Sequence, residues 1–144
     1  MRQIKTEISI AANPKTVWEV LMDFENYPNW NPFITSIQGE KAVGKKLRIT
    51  VHPPDGKEMT FKPEVLIFEP GKKLKWMGKG PVKGLFAGVH VFELEAQHDG
   101  STRFIHSEQF TGLLVGIMRK TLDKTEYGFK QMNSALKKEC ENTK

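Results

Sequence analysis

The chain has 144 residues, 38% of them hydrophobic and 27% charged, the size and balance of one soluble globular domain spanning 1–144. Its 22 basic and 17 acidic residues leave a net charge of +5, but the lysines are dispersed (Lys45–Lys46, Lys72–Lys73, Lys137–Lys138) and no RNA-reading motif accompanies them, which disfavours nucleic acid as a partner. A lone cysteine, Cys140, excludes an intramolecular disulfide and a Cys-rich zinc site, and the longest weakly polar run, Gly112–Met118, is too short for a transmembrane segment. The charged stretch "MRQIKTEISI" does not read as a signal peptide, so a cytoplasmic location is the default expectation.

From Gln3 to Ala11 the residues alternate, with Ile4, Thr6, Ile8 and Ile10 on one face, which predicts a half-buried strand. Asn13-Pro14 then supplies an N-cap and a first helical residue, and Val17, Val20, Leu21 and Phe24 continue at helical spacing. "NYPNWNPFITSI", Asn26–Ile37, is too rich in proline for a helix interior and too aromatic for a plain loop. Strands are expected near Ile34–Gly39, Lys45–His52, Met59–Glu69, Lys72–Gly78, Gly84–Gln97 and Thr102–Phe110, separated by turn pairs such as Asp55-Gly56, Pro70-Gly71 and Asp99-Gly100. Such short connections require antiparallel pairing. From about Leu113 the period becomes helical again, with Leu114, Met118, Leu122, Thr125, Phe129, Met132, Leu136 and Cys140 forming a long stripe. An antiparallel sheet with helices at its two ends in sequence is an α+β domain.

Strand parity nominates the interior. Glu93 and Glu95 mark a solvent face, so Phe86, Gly88, His90, Phe92 and Leu94 point inward; on neighbouring strands Trp76, Phe104, His106, Glu108 and Phe110 share that face. Three polar side chains on an apolar face need partners, since an unpaired buried one costs about 1–3 kcal/mol. Several uses stay open for His90, His106 and Glu108: a wet position at the sheet's open end, mutual satisfaction, contact with a ligand's polar head, a general acid–base pair, or a metal-binding triad. No metal or cofactor is expected, because nothing in the spacing fixes the three at ligand distance. "GKGPVKG", Gly78–Gly84, has neither Rossmann nor P-loop spacing, and no nucleophile elbow or His-Glu-x-x-His pair is present. Gly112 and Gly116 suggest a loosely held first turn of the last helix, with its leucines and the Lys79–Gly84 loop acting as a gate.

"NPKTVWEVLMDFENYPNWNPF", "VGKKLRI", "FEPGKKLKW" and "HSEQFTGLL" before a long terminal helix resemble the START-like superfamily, and within it the polyketide cyclase/dehydrase and lipid-transport branch known as SRPBCC. The resemblance covers nearly the whole chain. It implies a helix-grip fold: a seven-stranded antiparallel sheet wrapped around a long C-terminal helix, with two short N-terminal helices and a deep apolar cavity. It also implies that Trp30 and Phe33 are lid or wall residues. The stripe of the last helix fits either an ordinary core or a ligand cavity, and Leu114, Met118, Leu122 and Phe129 are its nominated ligand contacts. Relatives range from lipid carriers and hormone receptors to aromatase/cyclases and toxins that act on ribosomes, so the fold alone does not name a chemistry. The leading expectation is binding or transport of a small hydrophobic ligand, such as a lipid, polyketide, aromatic or quinone-like molecule. The alternatives are a cofactor-independent cyclase or dehydratase using His106 or His90 with Glu108, and a basic surface that docks on ribosomes or membranes. Monomer and weak dimer are both open.

Overall fold

The structure, a computed structural model, describes residues 1–142. Strand β1 (Arg2–Ile10) leads to helix α1 (Pro14–Met22), whose N-cap Asn13 accepts a hydrogen bond from the Thr16 amide at 2.8 Å. A 3-10 turn (Phe24–Asn26) and the one-turn helix α2 (Tyr27–Trp30) follow. Seven further strands come next: β2 (Ile34–Gln38), β3 (Arg48–Val51), β4 (Met59–Phe61), β5 (Glu64–Glu69), β6 (Lys73–Lys79), β7 (Ala87–Ala96) and β8 (Thr102–Thr111). The chain ends on a 3-10 turn (Val115–Ile117) and helix α3 (Arg119–Asn142).

All strand pairs are antiparallel. They form a five-stranded sheet in the order β1-β8-β7-β6-β5 and a three-stranded sheet in the order β2-β3-β4. The two sheets together hug α3. The expected count of seven strands in one sheet is therefore corrected to eight strands in two sheets among the described residues. The cause is Pro63, which has no amide proton for a ladder. It splits the expected Met59–Glu69 strand into β4 and β5. The sheets still meet at this break: Leu47 donates its amide to the Pro63 carbonyl at 2.9 Å, and Val65 donates to Lys45 at 2.8 Å.

A second correction concerns the last helix. Leu114 and Met118 precede it and belong to a 3-10 turn and its flanks, because Gly112 (φ 114°) turns the chain where an added Cβ would collide with the Leu85 backbone. This turn is stitched to the β6–β7 loop by the Leu113 amide to Gly84 (3.1 Å) and the Leu114 amide to Leu85 (2.9 Å). Among the described residues no helix is long and apolar enough to cross a membrane.

The aromatic segment between α1 and β2 is a packed corner. Tyr27 is fully buried and donates its hydroxyl to the Leu21 carbonyl at 2.7 Å, while its ring meets Trp30 edge-on. Asn31 Oδ1 accepts from the amides of Phe33 and Ile34, both at 2.9 Å, an Asx turn that aims the chain into β2. Phe33 then lies over Gly128 of α3 and meets Phe129 edge-on, with centroids 5.5 Å apart.

That contact sets a test of the packing. A Cβ at residue 128 would run into the Phe33 ring. Alanine is the better helix former by about 1 kcal/mol, but overpacking a core costs about 1–3 kcal/mol. Gly128→Ala is expected to lower the urea midpoint despite its propensity gain, and an unchanged or raised midpoint would show that Phe33 is free to shift.

Candidate functional site

A cavity of about 360 Å³ lies between the sheets and the first turns of α3. Its walls are mainly apolar: Phe33, Ile49, Val51, Trp76, Phe110 and Leu122 are among the residues that build them. Met59, Phe61, Lys79 and Pro81 stand on its rim side with Met118 and Thr121. Besides Lys79 at the end of β6, two polar side chains line it from the five-stranded sheet, His90 on β7 and Glu108 on β8, which are direct cross-strand partners.

Parity explains how they come inward. Burial alternates along β7, with Gly88, His90, Phe92 and Leu94 on the inner side, and β8 places Phe104, His106 and Phe110 on the same side. His90 stacks on Trp76 (centroids 4.1 Å, 11°), and His106 stacks on Phe129 of α3 (3.8 Å, 7°).

Behind the cavity wall runs a chain of buried hydrogen bonds. His90 Nε2 lies 2.8 Å from His106 Nε2, and His106 Nδ1 lies 2.9 Å from Asn133 Oδ1. Asn133 Nδ2 donates to Thr6 Oγ1 at 2.8 Å, and that hydroxyl donates to the His106 carbonyl at 2.9 Å. Burial pushes His106 down to about 3, against a smaller upward pull from Asn133; burial and the neighbouring His106 hold His90 well below the ordinary histidine range. Both rings are neutral at neutral pH.

Glu108 is half-buried, with part of its surface on the cavity and protein around the rest. Its carboxyl lies over Gly88, where any Cβ would strike Oε2. No ion pair or hydrogen bond holds it among the described residues. Burial therefore pushes it up to about 8, and it is largely protonated at neutral pH.

Eight of the fourteen residues nominated from sequence line the cavity: Phe33, Trp76, Phe86, His90, Glu108, Phe110, Met118 and Leu122. Phe92, Phe104, His106 and Phe129 are buried behind it, Trp30 packs in the corner as the last residue of α2, and Leu114 lies half-buried before the 3-10 turn. His106 is thus a neighbour of His90 and not a wall residue, and no cluster of metal-ligating side chains forms among the described residues. Sequence reasoning passes over Asn133 and the purpose of Gly88. Asn133 sits four residues after Phe129, a stripe position occupied by an amide, and that is the available signal.

Residues 1–141 match the family model "Polyketide cyclase / dehydrase and lipid transport". The chain belongs to this family. Solved structures with the same fold include protein MLL2253 from Mesorhizobium loti (21% identity, TM-score 0.77, 99% of each chain). Others are TTHA0849 from Thermus thermophilus (14%, TM-score 0.75, 96% of this chain and 97% of that one) and the Zhui aromatase/cyclase from Streptomyces sp. R1128 (17%, TM-score 0.77, 97% and 93%). At these identities the likeness shows the shared helix-grip fold. No curated protein matches the chain in sequence.

The state of Glu108 has a measurable consequence. In the folded chain its proton is held up to about pH 8, whereas in the unfolded chain it leaves near the ordinary 4.5. Its contribution to stability is fully present below pH 4.5, declines as pH rises and is lost above about 8. Glu108→Gln cannot ionise, so it is expected to gain stability over the parent progressively across that window in denaturant titrations. The histidines act equally in both proteins and cancel; a parallel pH profile for parent and variant would mean that Glu108 is ionised when folded.

Proposed function

We propose that this family member binds a small, largely apolar ligand in the cavity under α3, with Glu108 and His90 as the polar groups at its wall. What carries the reading is a mainly apolar cavity of about 360 Å³, large enough for a ring-containing or acyl molecule, with only a few polar side chains converging on it. The lipid transport in the family's description and the shared fold agree with it. Native mass spectrometry of protein from its source is expected to retain a lipophilic adduct. Thr125→Trp, which places an indole in the cavity from α3, is expected to weaken binding of a fluorescent apolar probe by about tenfold or more while leaving the far-ultraviolet circular dichroism unchanged. Probe binding untouched by that indole would move the ligand elsewhere.

The second reading is a cofactor-independent cyclase or dehydratase. A neutral histidine pair beside a protonated carboxyl supports it, as does the activity that gives the Zhui aromatase/cyclase, an enzyme of the same fold, its name. Under this reading Glu108→Gln removes turnover of a polyketide-like substrate; under the first there is no turnover to remove.

Either way a ligand enters past the rim. The 3-10 turn and the β6–β7 loop are joined there by two backbone hydrogen bonds, and Leu113 and Ile117 are 82% and 81% exposed. Amides of Leu113–Met118 are expected to exchange with deuterium faster than those of Phe129–Leu136, and to slow when ligand is bound. Equal protection in both segments, with and without ligand, would remove the gate.

A further inference from the structure

We infer that the cavity takes an apolar alcohol, phenol or enol whose hydroxyl donates a hydrogen bond to His90 Nδ1 beside Glu108, and that Asn133 and Thr6 impose this direction as positioning residues. The inference rests on the ligand-binding reading above and adds the chemistry of the ligand's buried end.

The direction follows from one atom that cannot donate. The His106 carbonyl oxygen has no hydrogen, so the Thr6 hydroxyl must donate to it. Thr6 Oγ1 is then the acceptor for Asn133, which fixes the amide with Nδ2 toward Thr6 and Oδ1 toward His106. An amide oxygen only accepts, so His106 carries its proton on Nδ1. In a neutral ring that leaves His106 Nε2 bare. The 2.8 Å contact between the two Nε2 atoms needs one proton, and His90 must supply it. His90 therefore has its proton on Nε2 and a lone pair on Nδ1.

That lone pair has no partner. Among the described residues three buried side-chain atoms are unpaired: Trp30 Nε1, Asn31 Nδ2 and His90 Nδ1. Only His90 is on a residue that lines the cavity. Leaving it unpaired costs about as much as a lost hydrogen bond, which a bound donor recovers once the wall side chains that cover this atom shift to admit it. A hydroxyl suits the site better than an amide N–H, because Glu108 stands directly across the β7–β8 ladder and the same oxygen can accept from its protonated carboxyl. A carboxylate, ether or ketone end would set lone pair against lone pair at His90.

The probes are 1-naphthol and 1-methoxynaphthalene, which share an apolar body and differ in the O–H, titrated into the full chain carrying 15N-labelled histidine. Naphthol is expected to bind about tenfold or more tightly than the ether. In the free protein His90 Nδ1 is expected to give the resonance of an unprotonated ring nitrogen, which moves on adding naphthol and stays on adding the ether. Asn133→Leu releases the tautomers and is expected to shrink the preference to about twofold. Should that variant fail to fold, the parent spectra decide. Equal affinity for the two probes, a proton on Nδ1 in the free parent, or a shift of Nδ1 caused by Glu108→Ala alone overturns the inference while leaving the ligand-binding reading intact. Failure of both probes and of every other apolar compound to enter counts against that reading itself and takes this inference with it.

Discussion

Buried polar atoms must be paired, and the interior of this chain is organised around the place where four such side chains meet. Thr6 comes from β1, His90 from β7, His106 from β8 and Asn133 from α3. Each satisfies the next, so removing one strands a neighbour at about 1–3 kcal/mol. The chain of bonds fixes how α3 is rotated on the sheet, since Asn133 shares the buried side of the helix with Phe129 and Met132. Farther along α3, Lys137 donates to the Ser9 carbonyl at 3.0 Å and Glu141 accepts from the Ala11 amide at 2.8 Å. The helix is thereby clamped to β1 along its second half. Its first turns are also tied to β1, where Arg2 donates to the Arg119 carbonyl at 3.3 Å and pairs with Asp123 at 2.5 Å, while Leu122 and Thr125 line the cavity.

Periodicity makes much of this legible. The alternation of β1, β7 and β8, the Asn13-Pro14 helix start and the stripe of α3 are local patterns, and each depends only on which way neighbouring residues point. What the pattern cannot carry is pairing between elements. Asn133 falls at a stripe position of α3, but its partner is not legible until His106 is known to lie opposite it. Gly88 reads as a weak point in a strand until the Glu108 carboxyl is seen to occupy the space a side chain would fill, and Gly128 has the same relation to Phe33. The expected single strand through Pro63 fails for a local reason that is visible in the sequence: a proline without an amide proton cannot sit in an unbroken ladder. Helix α3 starts later than expected because Leu114 and Met118 share the stripe's spacing, while the backbone at Gly112 requires a turn that hydrophobic spacing does not report.

The charge state of the interior bears on what such a site does. One neutral histidine, His90, and a largely protonated carboxyl present dipoles to the cavity, with neutral His106 behind the wall and Lys79 the charged group on the lining. Burial acts on all three polar groups in the same direction, against the ionised form, which lets an apolar cavity keep polar groups without counter-ions. Under the proposed ligand-binding reading, an apolar guest loses little on entering, and its polar end gains a partner that water does not supply inside.

The same values separate the roles that the two kinds of group can play in chemistry. Proton transfer is most effective when a group's pKa lies near the working pH. Glu108, pushed up to about 8, meets that condition, and its partly open face on the cavity lets a proton reach it. His106, at about 3, and His90, held lower than the ordinary range by burial and by its neighbour, are poor bases at neutral pH. If this site moves protons, Glu108 is the group that does so, and the histidine pair serves as a fixed acceptor that orients what Glu108 acts on. The bonds that hold His90 in place through His106, Asn133 and Thr6 are those of an orienting device: they immobilise a lone pair and offer no route for a proton beyond an amide oxygen.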